Sequence, residues 1–239
     1  MSKKKILVFT GAGVSAESGI KTFRDSQNGL WYNFDVKEVA SVDGWRKDKA
    51  KVLDFYNQRR NEMRSVNPNK AHEFIAKLEE KFDVTVVTQN VDDLHERAGS
   101  TNVIHLHGEL NKMRSTYDDT IVLDCPGDIN IGDKCPEGSQ LRPHIVWFGE
   151  MLDKGNLLAA KNAADDADAC IIVGTSMQVA PANTIPFLTQ HNALIYYIDP
   201  GDTDFHIPSS RRIFFYHIKE SASTGMEKVY NEIIDIFSK

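Results

Sequence analysis

The chain has 239 residues, with 28 lysines and arginines against 34 aspartates and glutamates, so its formal net charge is −6 at pH 7. Hydrophobic residues at 41% and charged residues at 26% are ordinary globular proportions, which excludes wholesale disorder. The acidic balance argues against a nucleic-acid or membrane-surface binder, and no apolar run approaches the ~20 residues that span a bilayer. Three cysteines are too few for a disulfide framework and fit a reducing compartment, so we expect a cytoplasmic protein.

Short apolar runs typical of buried strands alternate with segments of helical periodicity. Strands are expected at residues 6–10, 84–88, 103–106, 169–173 and 194–198, and helices at 48–64, 71–81, 157–167 and 226–237. This alternation predicts βαβ crossovers and a mostly parallel sheet, hence an α/β fold. Residues 110–141 break the pattern with dense turn signals such as Pro126-Gly127 and Pro136-Glu137-Gly138, and we expect them to form a small inserted module.

A glycine-rich loop follows the first expected strand. The run Gly11-Ala12-Gly13-Val14-Ser15-Ala16 matches the G-x-G-x-x-G/A pattern, whose first glycine permits a tight turn and whose second lets a pyrophosphate approach the backbone. An ordinary glycine-rich turn between a strand and a helix is the alternative. The position directly after the first strand favours dinucleotide binding.

The loop that follows differs from that of a dehydrogenase. About 20 residues after the glycines such enzymes place an acidic residue at the end of a second strand, and this chain has no strand there. We expect Phe23 to stack on the cofactor, Arg24 to contact its phosphates, and Trp31 to belong to the same site. Hydride transfer is therefore disfavoured.

Polar residues follow the next two strands. Gln89, Asn90 and Asp92 come directly after the second strand, and His105 and His107 lie on one face of the third. Ligands of open parallel sheets bind beyond the carboxyl ends of the strands, which favours a site here. The alternatives are a helix N-cap for the amide and carboxylate residues and a structural role for either histidine.

A similar arrangement occurs in the second half of the chain. Gly174-Thr175-Ser176 ends the strand at 169–173, and small hydroxyl residues suit a second nucleotide contact. An ordinary turn remains the alternative.

Together these motifs resemble the sirtuin family of NAD-dependent protein-lysine deacylases, and in particular its bacterial class III members of the desuccinylase and demalonylase type. The resemblance covers residues from about Lys5 to Asp199 and rests on the blocks Gly11 to Ile20, Thr22-Phe23-Arg24, Thr88-Gln89-Asn90-Val91-Asp92, Leu106-His107-Gly108, Arg142 to Glu150 and Gly174-Thr175-Ser176. It implies one catalytic domain over residues 1–239. Its Rossmann-type part, a parallel sheet with helices on both faces, would take 1–35, 82–109 and 142–239, with a helical insertion at 36–81 and the small module at 110–141.

The resemblance also implies roles for the matched residues. NAD, as co-substrate, would contact Gly11, Ala12, Gly13, Ser15, Ala16, Phe23, Arg24, Trp31, Gln89, Asn90, Asp92, Gly174, Thr175 and Ser176. Asn90 and Asp92 would act in catalysis with His107, the general base. Val146-Trp147-Phe148-Gly149 would form the cleft that binds an acyl-lysine peptide by strand addition. The implied reaction starts with attack of the acyl oxygen on C1′ of the nicotinamide ribose, after which His107 activates a ribose hydroxyl.

The sequence departs from the family pattern in two places. The family's module usually holds zinc with two close pairs of cysteines, whereas only Cys125 and Cys135 occur here, so we expect no structural zinc. Acidic residues such as Asp124 and Asp133 could be offered as oxygen ligands, but such side chains are usually solvated. The family also commonly places an asparagine against the adenosine, and here Tyr197 or Asp199 would have to replace it.

The helix around Phe55 carries a cation on its apolar side. At 100° per residue Arg59 lies near the middle of a face that includes Tyr56 and Met63, whereas Arg60 lies further round and is expected in solvent. A guanidinium in that position needs a partner, either an internal ion pair or a substrate carboxylate, unless it snorkels to water. Tyr-x-x-Arg is similar to the pair in sirtuins that remove succinyl and malonyl groups, which favours a substrate role for Tyr56 and Arg59.

We therefore expect an NAD-dependent protein-lysine deacylase that accepts succinyl and malonyl as well as acetyl groups and releases nicotinamide and O-acyl-ADP-ribose. A mono-ADP-ribosyltransferase or NAD glycohydrolase is one alternative. A non-enzymatic NAD sensor is another, against which the intact Asn90, Asp92 and His107 argue. The expected partners are acyl-lysine proteins or peptides, with no membrane or nucleic acid, and a monomer is favoured.

Overall fold

A computed structural model of the protein describes residues 3–22 and 35–237. The strands of these ranges are β1 (Lys5–Thr10), β2 (Asp83–Thr88), β3 (Val103–His105), β4 (Gly108–Ser115), β5 (Val122–Asp124), β6 (Leu141–Ile145), β7 (Ala169–Val173), β8 (Leu194–Ile198) and β9 (Phe215–Ile218). The α-helices are α1 (Val36–Val39), α2 (Val42–Lys47), α3 (Lys49–Ser65), α4 (Lys70–Leu78), α5 (Leu94–Ala98), α6 (Lys154–Asp165) and α7 (Ala222–Phe237). Segments of 3-10 helix occur at Ala12–Ser18, Ala182–Leu188 and Ser209–Phe214. Within the same ranges no helix has the length and apolar character needed to cross a bilayer.

The main sheet has six strands in the order β3-β2-β1-β7-β8-β9, and every neighbouring pair is parallel. Its central strands β1 and β7 are apolar and buried along nearly their whole length, as strands covered on both faces are. This sheet confirms the expected α/β, Rossmann-type fold. The edge strand β9 was not expected, because its four residues carry no clear periodicity; three of them are partly buried and Tyr216 is exposed.

Helices cover both faces of the main sheet. On one face α4 and α7 pack with Val8 and Val86 in one hydrophobic cluster. On the other face α6 and the segment Ala182–Leu188 pack with Leu7 and Phe9. The two-residue period of a strand turns Leu7 and Val8 to opposite sides, so one apolar strand supplies both cores.

Residues 36–81, expected as a helical insertion, pack in two separate hydrophobic clusters. α3 packs against the small sheet in a separate cluster that contains Val52, Phe55 and Leu141. α4 instead packs against α7 and the main sheet through Ile75. The expected insertion is therefore divided between two clusters, because the apolar face of α4 contacts the main sheet rather than the preceding helix.

The small sheet is antiparallel, with the order β5-β4-β6. It extends beyond the expected module at 110–141, since β4 begins at Gly108 and pairs there with Ile145 at the end of β6. The small sheet thus starts one residue after His107, at the edge where the main sheet ends.

Candidate active site

The glycine loop packs against the loop that follows β7. The amide of Gly13 donates to the carbonyl of Gly174 at 2.8 Å. A Cβ at Gly13 would lie 2.7 Å from the Cα of Gly174, and Gly174 itself has φ +62°. Both glycines are therefore required for the contact between the two loops, a role that the sequence pattern did not reveal. The contact brings Ala12–Ser18 beside Thr175 and Ser176 at the carboxyl edge of the sheet.

Ser15, Asn90 and Asp92 form a buried hydrogen-bonded cluster at this edge. The hydroxyl of Ser15 donates to Oδ2 of Asp92 at 3.0 Å and accepts from Nδ2 of Asn90 at 3.1 Å. Burial raises the pKa of the Asp92 carboxyl, although hydrogen bonds from Leu94 and Ser15 oppose the shift. The backbone amide of Leu94 donates to Oδ1 of Asp92 at 3.2 Å, but the N-cap residue of α5 is Asp93, so neither Asn90 nor Asp92 is the helix cap.

Gln89 connects the ends of β2 and β7. Its Nε2 donates to Oγ1 of Thr175 at 2.9 Å, and the same oxygen accepts from the amide of Met177 at 3.2 Å. The expected residues of the nicotinamide pocket and of the second nucleotide contact thus lie together. Ser176 is half-buried between them and Met177.

The two histidines bind consecutive backbone carbonyls. Nδ1 of His107 lies 3.0 Å from the carbonyl oxygen of Gln89, and Nδ1 of His105 lies 3.0 Å from that of Asn90. Because a carbonyl oxygen only accepts, each Nδ1 carries a hydrogen. Nε2 of His105 contacts the Glu96 carboxylate at 2.7 Å. Nε2 of His107 meets no hydrogen-bond partner among residues 3–22 and 35–237, and in the neutral ring it is the basic nitrogen.

The pKa values of the two histidines shift in opposite directions, although both rings are buried. Burial lowers the pKa of His107, with the Gln89 hydrogen bond opposing the shift, so its ring is neutral at neutral pH. Burial also disfavours the charged form of His105, but the hydrogen bond and charge of Glu96 raise its pKa overall. His107 therefore has the properties of a general base, and His105 those of a structural ion pair.

The segment after β6, residues 146–149, is hydrogen-bonded to the backbone of His107. The amide of Val146 donates to the His107 carbonyl at 2.9 Å, and the amide of Phe148 donates to the carbonyl of Ala40 at 2.9 Å. The side chain of Trp147 is buried, whereas Phe148 is 59% exposed and Gly149 is exposed. Of the four expected cleft residues, Trp147 thus faces the interior, and Val146, Phe148 and Gly149 are at least partly accessible.

Tyr56 joins α3 to this segment. Its hydroxyl accepts from Nε1 of Trp147 at 3.0 Å, so its own hydrogen is left to donate. Three residues along α3, Nη2 of Arg59 donates to Oε1 of Glu62 at 2.8 Å. The guanidinium of Arg59 also lies 5.3 Å from the ring centre of Phe55.

The expectation that Arg60 is solvated was wrong. Arg60 is fully buried, its Nε donates to the carbonyl of Leu110 at 2.7 Å, and its Nη1 donates to Asn57 at 2.8 Å. The expectation came from the positions of the apolar residues of α3 alone. The small sheet also packs on α3, and it covers Arg60. Arg60 ties the helix to the start of β4, and Arg59 is left at the boundary between interior and solvent.

A further hydrogen-bonded set, which the sequence did not reveal, supports the site. Nε2 of His95 lies 3.0 Å from Oγ1 of Thr10, which donates to Oγ1 of Thr88 at 2.8 Å. The same Thr88 oxygen accepts from the amide of Asn90 at 3.0 Å. The one indication of this set in the sequence is that Thr10 and Thr88 end two apolar strand segments.

Some expected residues take other positions or cannot be placed. Phe23, Arg24 and Trp31 lie outside the described residues. Tyr197 is buried in the aromatic core beside Phe215, whereas Asp199 follows β8 at the carboxyl edge and is half-buried. Of the two suggested replacements for the family asparagine, Asp199 is the accessible one.

The small module contains two turns that centre on polar side chains. Oγ of Ser115 accepts from the amides of Tyr117 and Asp118 at 3.1 and 3.2 Å. A hydrogen bond with Ser115 lowers the pKa of the Cys135 thiol. Cys125 is buried, and its Sγ contacts the carbonyl oxygen of Gly127 at 3.2 Å. Among the described residues no group of three or more histidine, cysteine, aspartate or glutamate side chains could hold a metal ion.

The fold and the site together define an α/β protein with a candidate ligand site at the carboxyl edge of its main sheet and a neutral histidine beside it. The sequence model of the Sir2 family matches residues 11–181. The chain belongs to the Sir2 family, the family of the sirtuins.

Relatives and solved structures agree with this assignment. The chain is 48% identical over 235 residues to an NAD-dependent protein deacylase of Helicobacter pylori, a match that covers 98% of this chain and 100% of the relative. A Bacteroides thetaiotaomicron protein of the same name is 43% identical over 237 residues, with coverage of 97% and 98%. A Sir2 homologue in complex with ADP-ribose matches with a TM-score of 0.87 and 38% identity over 99% of this chain and 94% of that chain. A Sir2 homologue in complex with NAD matches with a TM-score of 0.85 and 38% identity, over 98% and 91%.

Proposed function

We propose that the protein removes succinyl and malonyl as well as acetyl groups from lysine side chains of proteins and releases nicotinamide and O-acyl-ADP-ribose. The coarser activity, NAD-dependent protein deacylation, follows from membership in the family and from relatives of that name over nearly the full chain. The observation that carries it in the structure is the neutral His107, whose basic Nε2 lies at the edge that also holds Asn90 and Asp92.

The residues at the sheet edge fit NAD. Ser15, Asn90 and Asp92 offer a hydroxyl, an amide and a carboxyl group in one buried cluster, which suits the donors and acceptors of a carboxamide. The loop around them carries no bulky side chain at Ala12 or Ala16, which leaves its backbone open to a diphosphate.

Catalysis by this chain would consist of positioning and one proton transfer. NAD supplies a nicotinamide leaving group and a ribose hydroxyl that accepts the acyl group. Asn90 and Asp92 would bind and orient the nicotinamide ring, and their burial would exclude water from it. Nε2 of His107 takes the proton of the hydroxyl, while Nδ1 stays fixed by the Gln89 carbonyl.

The geometry around Tyr56 supports the acidic acyl preference. The Tyr56 hydroxyl is anchored by Trp147 and keeps a hydrogen to donate. Arg59, one turn further along α3, has a largely buried guanidinium, and a carboxylate is the natural partner of that group. The accessible Phe148 and Gly149 would take the peptide by strand addition, which needs only its extended backbone.

We also propose that the small module folds without zinc. Ser115 takes the place of a thiolate at the head of its turn and is hydrogen-bonded with Cys135. Leu110, Cys125 and Leu141 pack with α3 in one buried hydrophobic cluster, and this packing would stabilise the module in place of a metal.

The test measures kcat/KM with NAD and acetyl-, succinyl- and malonyl-lysine peptides for the wild type, Arg59→Met and Arg59→Lys. Removing one partner of a desolvated charge pair costs about 2–5 kcal/mol, so succinyl-lysine turnover should fall tens- to thousands-fold in Arg59→Met. Acetyl-lysine, which has no carboxylate, should change far less. Arg59→Lys should rescue only in part, because an ammonium lacks the planar fork.

The control is Arg46→Met, since Arg46 lies on α2 in an exposed pair with Asp43. Equal losses of kcat/KM on acetyl and succinyl peptides in Arg59→Met would contradict the proposed preference for acidic acyl groups. Nicotinamide release without matching O-acyl-ADP-ribose would instead indicate an ADP-ribosyltransferase or NAD glycohydrolase.

A further inference from the structure

The guanidinium of Arg59 already has a carboxylate neighbour. Nη2 of Arg59 lies 2.8 Å from Oε1 of Glu62, one turn along α3. The arginine side chain is 16% exposed, whereas that of Glu62 is 53% exposed. The pair therefore joins a largely buried cation to an anion that can swing into water.

The pair leaves part of the guanidinium unsatisfied. Nε of Arg59 is buried and has no hydrogen-bond partner among the described residues. Burial also lowers the pKa of Arg59, with the Glu62 charge opposing the shift. A carboxylate that reached both Nε and Nη2 would satisfy two donors where Glu62 satisfies one.

The position of the pair relative to the site is fixed by a short series of contacts. The His107 carbonyl accepts from Val146, and the next residue, Trp147, donates its indole hydrogen to Tyr56. Tyr56 and Arg59 are three residues apart on α3 and so lie on adjacent turns of one face.

We propose that Glu62 is a specificity-determining residue. It forms an ion pair with Arg59 when no acidic acyl group is bound, and the substrate's carboxylate must displace it from Arg59. The proposal rests on the proposed acyl preference and adds to it a competitor within the protein. The substrate class is an acyl-lysine whose distal group is a carboxylate that can bind Arg59 at two nitrogens.

The expected consequence is a modest penalty on acidic substrates alone. A half-exposed ion pair between residues three apart on a helix is weak, so its displacement should reduce affinity by only about two- to five-fold. The negative charge of Glu62 also repels an incoming carboxylate, which adds to the same penalty. Neither effect acts on an acetyl group, which is uncharged.

The test compares the ratio of succinyl- to acetyl-lysine kcat/KM in wild type, Glu62→Gln and Arg59→Met. Glu62→Gln should raise the ratio about two- to five-fold, mainly through a lower KM for the succinyl peptide. Glu73→Gln is the matched control, because Glu73 forms a pair of the same spacing with Lys70 on α4, and it should leave the ratio unchanged. In the double variant Arg59→Met/Glu62→Gln the effect of the glutamine should disappear.

The outcomes separate this proposal from the function on which it rests. If Arg59→Met loses succinyl turnover selectively and Glu62→Gln leaves the ratio unchanged or lowers it, Glu62 is not a competitor and the proposal fails alone. If Arg59→Met affects both peptides equally, the acyl preference fails and the role of Glu62 falls with it.

Discussion

His105 is the last residue of β3 and His107 lies two residues beyond it, and each contacts one backbone carbonyl of the consecutive residues Gln89 and Asn90. Sequence alone left both open to a structural role. The second ring nitrogen distinguishes them, since that of His105 is paired with Glu96 and that of His107 has no partner within the described ranges. At the scale of the residue, then, function depends on which nitrogen is left to act.

We expect His107→Ala to keep NAD binding and to lose deacylation by about 100- to 10,000-fold, the usual contribution of a positioned base. The variant is checked by isothermal titration with NAD and by single-turnover deacylation. Unchanged turnover, or full loss in His105→Ala with His107 intact, would overturn the assignment of the base.

The pH profile provides an independent check on the same residue. Because burial lowers the His107 pKa below 6.5, the neutral ring persists as pH falls through 6.5, and wild-type kcat/KM should decline only at lower pH. An acidic limb with its midpoint above 6.5 would mean that another group controls the reaction.

At the scale of the element, the two glycine-containing loops act as one unit. Gly13 and Gly174 leave no room for a Cβ because backbone atoms fill both positions. Displacement of either loop would separate Ser15 from Thr175, which belong to the two halves of the expected cofactor site.

Gly13→Ala should therefore lower stability by about 1–3 kcal/mol through overpacking and weaken NAD binding at least tenfold. Urea unfolding and NAD titration measure the two effects. Gly127→Ala is the control, since a Cβ there meets no atom within 4 Å, and it should leave both quantities unchanged. NAD affinity at the wild-type level in Gly13→Ala would show that the loop contact does not shape the site.

The small module gives a prediction about metal. Purified protein should contain less than one zinc per chain by elemental analysis, and chelator treatment should leave both deacylation and the melting temperature intact, because Ser115 and Cys135 hold their turns by hydrogen bonds. Stoichiometric zinc that resists dialysis would show that the module was misread.

Local patterns predicted the elements well and their packing less well. β7 and β8 lie at the expected residues because continuous apolar runs between turns leave few alternatives. Arg60 was misplaced because its partner, Leu110, is distant in sequence, and the packing of α4 against α7 was not foreseen for the same reason. The polar cluster at the sheet edge was expected from the ends of parallel strands. The pair of Glu62 with Arg59 was not predicted, although the two residues are three apart on the expected helix and such a spacing permits it.

At the scale of the whole molecule, a buried pair of histidines joins the helices to the sheet. His72 on α4 and His95 on α5 are fully buried, with ring centres 4.9 Å apart. Burial lowers the pKa of His72 to about 4 and that of His95 well below its ordinary value. Both rings are neutral in the folded protein at neutral pH, whereas the unfolded chain protonates them near pH 6.5.

Acid should therefore destabilise the fold. As pH falls below 6.5 the unfolded chain binds protons that the folded protein takes up only near pH 4, so the free energy of unfolding falls, by about 2 kcal/mol for His72 between pH 7 and pH 5. Urea unfolding at both pH values measures the loss. In His72→Gln the fall in the free energy of unfolding between the two pH values should be smaller by about 2 kcal/mol. The control is His191→Gln, at an exposed position, which should leave that fall unchanged. The same loss in His72→Gln as in wild type would mean that His72 does not carry this pH dependence.

The start of the small sheet one residue after His107 has a kinetic consequence. The His107 carbonyl accepts from the Val146 amide, and Gly108 pairs with Ile145, so the proposed base and the proposed peptide-binding segment share one stretch of backbone hydrogen bonds. Each transient opening of these hydrogen bonds would separate His107 from the segment that we propose to bind the substrate. The lifetime of the Val146 amide proton against exchange with deuterium would then report the fraction of time for which the enzyme is ready to react.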